Sequence, residues 1–286
     1  MPRGRAGRPP LTRRGGGRGG ARKRAPSADA PRADKRALGG EQVEGRQAVR
    51  ELLLAGRRKV REVWLATEDG DERGGLREIA SLAEELRVPV KRVSVTKLAA
   101  AARSEAPQGV LAKAAPLPEV ELETLARTRG GVAPFLVAVD GVTDPGNFGA
   151  LLRTAECCGA TGIVVPRHRS VHVTPTVAKA AAGAVEHLPM AVVTGLPSAL
   201  ERLGSLGVWA VGLDSGGAER IDELTLADQP VVLVLGAEGR GLSPLVRKRC
   251  DVVAAIPLRG RIGSLNVAAA GAIACFEVAR RRLAAG

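Results

Sequence analysis

Tyrosine is absent from this chain, and two Trp and three Phe bring the aromatic share to only 2%. A protein that stacks successive bases of a single strand on aromatic platforms needs more rings than that. Any nucleic-acid function must therefore work through charge, backbone groups and shaped pockets. Cysteine is also scarce: four in 286 residues, at 157, 158, 250 and 275, with no CxxC spacing. That excludes a disulfide scaffold and points to a reducing compartment, the cytoplasm. No apolar run approaches the roughly 18 residues that a membrane helix needs. The first residues lack an apolar stretch followed by a cleavage site, so no secretory signal is expected. No metal site is expected either. His168 and His172 are four apart, but Val173-Thr174-Pro175 follows and no acid or Cys completes a ligand set, so they read as loop residues.

What the chain has in excess is positive charge, unevenly placed. The net charge is +13; the first 40 residues hold 12 Lys+Arg against two acids, and the other 246 are nearly balanced. Residues 1–40 are rich in Arg, Gly and Pro and cannot bury enough apolar area to offset ordering entropy. They read as a disordered basic tail, an electrostatic arm for phosphates. The chain as a whole is 45% hydrophobic, and the other 246 residues are long enough for one large core or two smaller ones.

Two modules follow. Residues 41–113 alternate helix and strand: helices at 46–55, 75–87 and 96–102, strands at 61–66, 88–93 and 109–113. Residues 114–133, with Pro116, Pro118 and Gly130-Gly131, read as a linker with a helical turn. From 134 to 286 the alternation becomes regular. Apolar strands are expected at 135–139, 162–166, 188–193, 207–213, 231–235 and 252–256, with helices between them and a long one at 265–282. Continuous apolar strands alternating with helices give a parallel sheet covered on both faces, with ligands at the strands' carboxyl ends. Met190 and Trp209 read as core, and Cys157-Cys158 as helix packing.

Three loops stand at such strand ends. The first, Asp140 to Gly149, runs into a helix. Asn147 there can cap or bind a ligand, and Arg153 follows near the helix start, where its charge opposes the dipole and suits an anionic ligand. The second, Leu235 to Leu242, has three Gly in six residues and one acid, Glu238. It lacks the pattern of a dinucleotide-binding turn, so a nucleotide-dependent dehydrogenase is poorly supported. The third, Ile256 to Asn266, enters the last helix with Ser264 as a natural N-cap. That helix carries Ala268, Ala269, Ala270, Gly271, Ala272 and Ala274, a face that admits close approach by another backbone.

In order and spacing, N-F-G-A-L-L-R at 147–153, G-A-E-G-R-G-L at 236–242, I-P-L at 256–258 and S-L-N-V at 264–267 resemble the three motifs of the SpoU (TrmH-like) RNA ribose 2′-O-methyltransferases. The stretch Gly45 to Leu53 resembles the start of the L30e-like RNA-binding domain found in the branch that methylates a guanosine of large-subunit rRNA. The resemblance implies an α/β fold: an L30e-like domain at 41–113, then at 134–286 a mostly parallel methyltransferase domain tied in a trefoil knot. It implies S-adenosylmethionine as cofactor, held by residues matching Gly236, Ile256 and Leu265. It implies a catalytic and positioning set of Asn147, Arg153, Glu238, Ser264 and Asn266. It also implies a homodimer joined through the last helix, and RNA as partner, either 23S rRNA or a precursor ribosomal particle. A guanidinium with a pKa above about 12 is a poor base, so Arg153 is expected to hold a phosphate and the developing oxyanion. The alternatives are a tRNA- or adenosine-directed 2′-O-methyltransferase, against which the module at 41–113 speaks, and a non-catalytic rRNA-binding or assembly protein, against which the intact motifs speak. Relatives often carry a His ahead of Gln108-Gly109-Val110, where this chain has Ala106-Pro107. Their Ser-rich continuation after S-L-N-V is here Ala268-Ala269-Ala270.

Overall fold

The computed structural model describes residues 38–67, 75–168 and 172–285. Almost all of the expected basic tail lies outside the described residues. Its last three residues pack: Leu38 is buried, Gly40 N–H donates to the Val173 carbonyl (2.8 Å), and Val173 N–H donates to that of Leu38 (2.8 Å).

The first module contains β1 (Gln42–Glu44), α1 (Arg46–Ala55), β2 (Val60–Ala66), α2 (Gly75–Glu85), β3 (Val90–Val93), α3 (Val95–Ala101) and β4 (Val110–Ala114). The helical spacing of 46–55 buries Ala48, Val49, Leu52 and Leu53, and α1 ends on Gly56 in the left-handed conformation. The strands form a mixed sheet in the order β1-β4-β2-β3, with only β2 and β3 parallel. Strand β1, three residues long and polar at both ends, escaped the pattern reading.

The expected linker is not loose. Val120 N–H donates to the Met190 carbonyl (2.9 Å), and Leu125 of the short helix α4 (Leu122–Leu125) is buried. Beyond it come β5 (Phe135–Asp140), α5 (Pro145–Cys157), β6 (Gly162–Pro166), α6 (Pro175–Ala180), β7 (Met190–Val193), α7 (Leu196–Ser205), β8 (Trp209–Leu213) and β9 (Glu219–Arg220). The chain finishes with β10 (Val231–Gly236), α8 (Pro244–Arg249), β11 (Val252–Ala255) and α9 (Val267–Ala285).

The seven strands from β5 onward form one parallel sheet in the order β7-β6-β5-β10-β8-β11-β9. Alternation along the strands divides the core between its two faces. Phe135, Val137, Val139, Val231, Leu233 and Leu235 point to the side of α5 and α9, in a cluster continuous with the first module's core. Leu136, Ala138, Val232 and Val234 point to α4, α7 and α8. Strand β10 inserts between β5 and β8, and this brings the carboxyl ends of β5, β8, β10 and β11 together.

Three packing expectations change. The small-residue face of α9 turns inward: a Cβ on Gly271 would overlap the Leu151 side chain of α5. The exposed apolar side chains of α9 are instead Ile273, Phe276 and Leu283. Trp209, at the first position of β8, is 44% exposed rather than core, and Cys157, at the end of α5, is exposed. Met190 is buried as expected.

Candidate active site

Asp140 closes β5, and the turn after it delivers α5. Asp144 caps that helix by accepting from the Asn147 N–H (2.7 Å), with Pro145 in the first turn. Because Asp144 does the capping, the Asn147 side chain is free for other work. A second amide arrives from α9. There the cap is Asn266, two residues past the expected Ser264: its Oδ1 accepts from Ala268 N–H (2.9 Å) and Ala269 N–H (3.3 Å). With Oδ1 committed to two backbone donors, Nδ2 must face away from the helix. It donates to Asn147 Oδ1 (2.9 Å) and Glu238 Oε1 (2.8 Å). Asn147 Nδ2 completes the triangle by donating to the same Glu238 oxygen (2.9 Å). Residues 119 and 91 positions apart thus form a closed ring of three side chains.

Glu238 is held out by a folded-back loop. Ala237 and Gly241 exchange both backbone hydrogen bonds (3.1 and 2.9 Å). This turn presses on Gly236, where a Cβ would overlap the Gly241 backbone, so the position admits only glycine.

On one side of the ring lies a hollow of about 260 Å³. Gly236, Ile256 and Leu265, the expected cofactor residues, all line it, as do Glu238 and Ser264. Apolar wall is added by Leu213, Leu235 and Leu258. On the other side lies an open cavity of about 800 Å³ that includes Asn147, Asp140, Asp144, His168 and Thr194. Ala237, Glu238, Arg240, Gly241 and Val267 belong to both, so the Glu238 corner of the ring stands at their common wall, with Asn147 lining the larger cavity.

Arg153 is not brought to this ring. The helix starts at Pro145, so Arg153 lies past its midpoint, and it is exposed on a side that lines neither cavity. Asp214 was missed from the sequence. It follows β8, lines the smaller hollow, and pairs with Arg247 (2.9 Å). Its position at a strand's carboxyl end was the available signal. Arg240, at the wall between the cavities, was likewise not singled out. No group of side chains that could hold a metal ion occurs among the described residues.

A small hollow and a larger open one, meeting at Glu238 on the carboxyl edge of a parallel sheet, can hold two ligands side by side. Residues 134–276 match the SpoU rRNA methylase family, and residues 42–120 match the RNA 2′-O ribose methyltransferase substrate binding domain. The 23S rRNA (guanosine-2′-O-)-methyltransferase RlmB of Pseudomonas putida is 38% identical over 245 residues, 85% of this chain and 97% of that protein. The putative TrmH family tRNA/rRNA methyltransferase YacO of Bacillus subtilis is 36% identical over 84% of this chain and 95% of its own. Among solved structures, the SpoU methyltransferase AviRb from Streptomyces viridochromogenes has a TM-score of 0.71 at 25% identity, covering 85% of this chain and 90% of that one. The AdoMet-bound rRNA methyltransferase from Sinorhizobium meliloti has a TM-score of 0.68 at 26% identity, covering 84% and 87%. The chain belongs to the SpoU rRNA methylase family.

Proposed function

We propose that this chain methylates the ribose 2′-hydroxyl of a guanosine in 23S rRNA, as free RNA or in a precursor particle. Membership of the family makes it an S-adenosylmethionine-dependent RNA 2′-O-methyltransferase. The guanosine and the large subunit are the finer reading, supported by the named relatives and by the substrate-binding module. The observation that carries the reading is the Asn147–Glu238–Asn266 ring, whose Glu238 lies in the wall between two cavities.

The residues present suit the cofactor. Gly236 lets backbone approach closely, Leu235, Ile256, Leu258 and Leu265 offer an apolar slot, and the Glu238 and Asp214 carboxylates face a cationic ligand. When bound, S-adenosylmethionine supplies a methyl group on a sulfonium, open to in-line attack by an oxygen. Asn147 and Asn266 hold Glu238 and orient the ribose. Such positioning can lower a barrier by up to roughly 7–11 kcal/mol in favourable cases. Arg153 holds the target phosphate and the developing oxyanion, and the 2′-hydroxyl proton leaves to phosphate or water. Ser264, exposed on the rim of the smaller hollow, positions substrate.

Arg153 serves through a second copy of the chain. The helix that carries it packs along α9, and α9 presents Ile273, Phe276 and Leu283 to solvent, an apolar stripe suited to a homodimer. The knotted threading, the basic arm at 1–40, the domain limits 41–113 and 134–286, and a cytoplasmic location belong to the same reading. Mapping ribose methylation across rRNA in a strain lacking the gene is the direct test. Loss of one guanosine mark is expected; loss of a tRNA mark instead, or of none, overturns the assignment. In vitro, Asn147→Ala should abolish methyl transfer while calorimetric binding of S-adenosylmethionine persists.

A further inference from the structure

The outer face of the first module's sheet, opposite α1 and α2, carries an unusual grouping. The chain has only eight lysines against 35 arginines. Three of those eight, Lys91, Lys97 and Lys113, converge on Trp64, one of two tryptophans, with ammonium-to-ring distances of 5.9, 5.9 and 4.5 Å. The pleat explains the meeting. Trp64 is in register with Lys91 on β3, and Glu62, two residues earlier on the same face, is in register with Lys113 on β4. Lys97 comes from α3, which covers part of this face with Leu98 buried. Glu62 ties the group together: Oε1 accepts from Trp64 Nε1 (2.9 Å) and Lys113 (2.8 Å), and Oε2 pairs with Lys91 (2.5 Å).

A single carboxylate neutralises one of three cations, so the cluster keeps an excess of positive charge. Each ammonium has three N–H donors; Lys91 and Lys113 spend one apiece on Glu62 and remain 55% and 43% exposed. Lysine rather than arginine suits this excess to point contacts with phosphate rather than planar reading of base edges. The Trp64 ring is already occupied by cations, so the face grips charge rather than stacking bases. None of these residues lines either cavity of the active site.

We propose that this face is a landing surface for the phosphate backbone of the RNA substrate, with Lys91, Lys97 and Lys113 as its contacts and Glu62 and Trp64 as the scaffold that aims them. The proposal rests on the RNA 2′-O-methyltransferase reading above and adds to it the face on which the RNA lies.

Trp64 is itself the reporter. With Trp209→Phe as background, it is the only tryptophan, and 23S rRNA fragments titrated onto the full chain should change its emission as the ammonium groups turn to phosphate. Replacing Lys91, Lys97 and Lys113 together with Gln should remove that response and weaken RNA binding about tenfold or more near physiological salt. It should also reduce the slope of log affinity against log salt by about 2–3, since each phosphate contact contributes roughly 0.7–0.9. Binding of S-adenosylmethionine and the circular-dichroism spectrum should stay at the parent's, which excludes misfolding; the melting temperature should fall modestly, as in Glu62→Gln, because the same ion pairs are lost. Parent-like affinity and salt slope in the triple variant would overturn the proposal. So would a Trp64 response to polyaspartate with none to RNA, which would assign the face to an acidic protein. Methyl transfer by the unaltered chain is scored separately, so failure of the surface and failure of the enzymatic reading are told apart.

Discussion

Glu186, in a single 3-10 turn after α6, and Arg58, between α1 and β2, form an ion pair with side chains 1% and 3% exposed. The pairing is bidentate: Arg58 Nη2 meets Oε1 at 2.6 Å and Nε meets Oε2 at 2.9 Å. The remaining nitrogen donates to the carbonyls of Gly40 (2.6 Å) and Ala115 (2.5 Å). One guanidinium thus ties the methyltransferase module to both ends of the substrate-binding module. Replacing Glu186 with Ala leaves a buried guanidinium with no counter-charge and two unsatisfied nitrogens. Loss of one partner from such a pair costs about 3–5 kcal/mol. At about 2–4 °C per kcal/mol for a unit of this size, the melting temperature should fall by about 6–20 °C, read by circular dichroism. The apolar double variant Arg58→Met/Glu186→Leu should recover much of the loss, because no charge stays buried. Recovery should be incomplete, since the carbonyls of Gly40 and Ala115 lose their donor, a penalty of about 1–3 kcal/mol. The exposed pair Arg202–Glu123 is the control: Glu123→Ala should leave the melting temperature unchanged. A fall of less than about 2 °C for Glu186→Ala, or a double variant weaker than the single, would refute the reasoning.

Other outcomes follow from the same structure. Asn266→Asp keeps the acceptor that caps α9 but removes both donors to Asn147 and Glu238; methyl transfer should drop by about 10²–10³-fold with melting little changed, whereas Asn266→Ala should also lose about 1 kcal/mol of stability. Gly236→Ala should abolish calorimetric binding of S-adenosylmethionine, because its Cβ has no room against the Gly241 backbone. Lys113 and then Lys91 hold the Glu62 carboxyl down to about 2. Its folded value lies below its unfolded one, so the stability it contributes is full above about 4.5 and is lost as pH falls toward 2. Acid titration of Glu62→Gln should therefore show a deficit at pH 7 that vanishes near pH 2. Burial pushes the Cys275 thiol up to about 12, so iodoacetamide at pH 8 should modify exposed Cys157 and spare Cys275 in mass spectrometry.

Much of this protein could be read from residue order. The spacing of apolar residues determined helix 46–55 and strand 162–166 to the residue, because each buries one face or both against a core. Continuous apolar strands pointed to a parallel sheet with loops at its carboxyl edge, while it was the resemblance of those loops to the SpoU motifs that marked Asn147, Arg153, Glu238, Ser264 and Asn266 as a set. Short or polar elements left no such trace: β1, β9 and the packed linker are held by neighbours rather than by their own pattern. Local propensity named Ser264 as the cap of α9. Tertiary structure chose Asn266, because only there can one amide both close the helix and reach Asn147 and Glu238. The inward turn of Gly271 and the exposed place of Arg153 were likewise settled by packing of α5 against α9, since helical periodicity gives a face but not its neighbour. The insertion of β10 between β5 and β8 brings loops about a hundred residues apart into contact, and no local energy term in the sequence encodes that order.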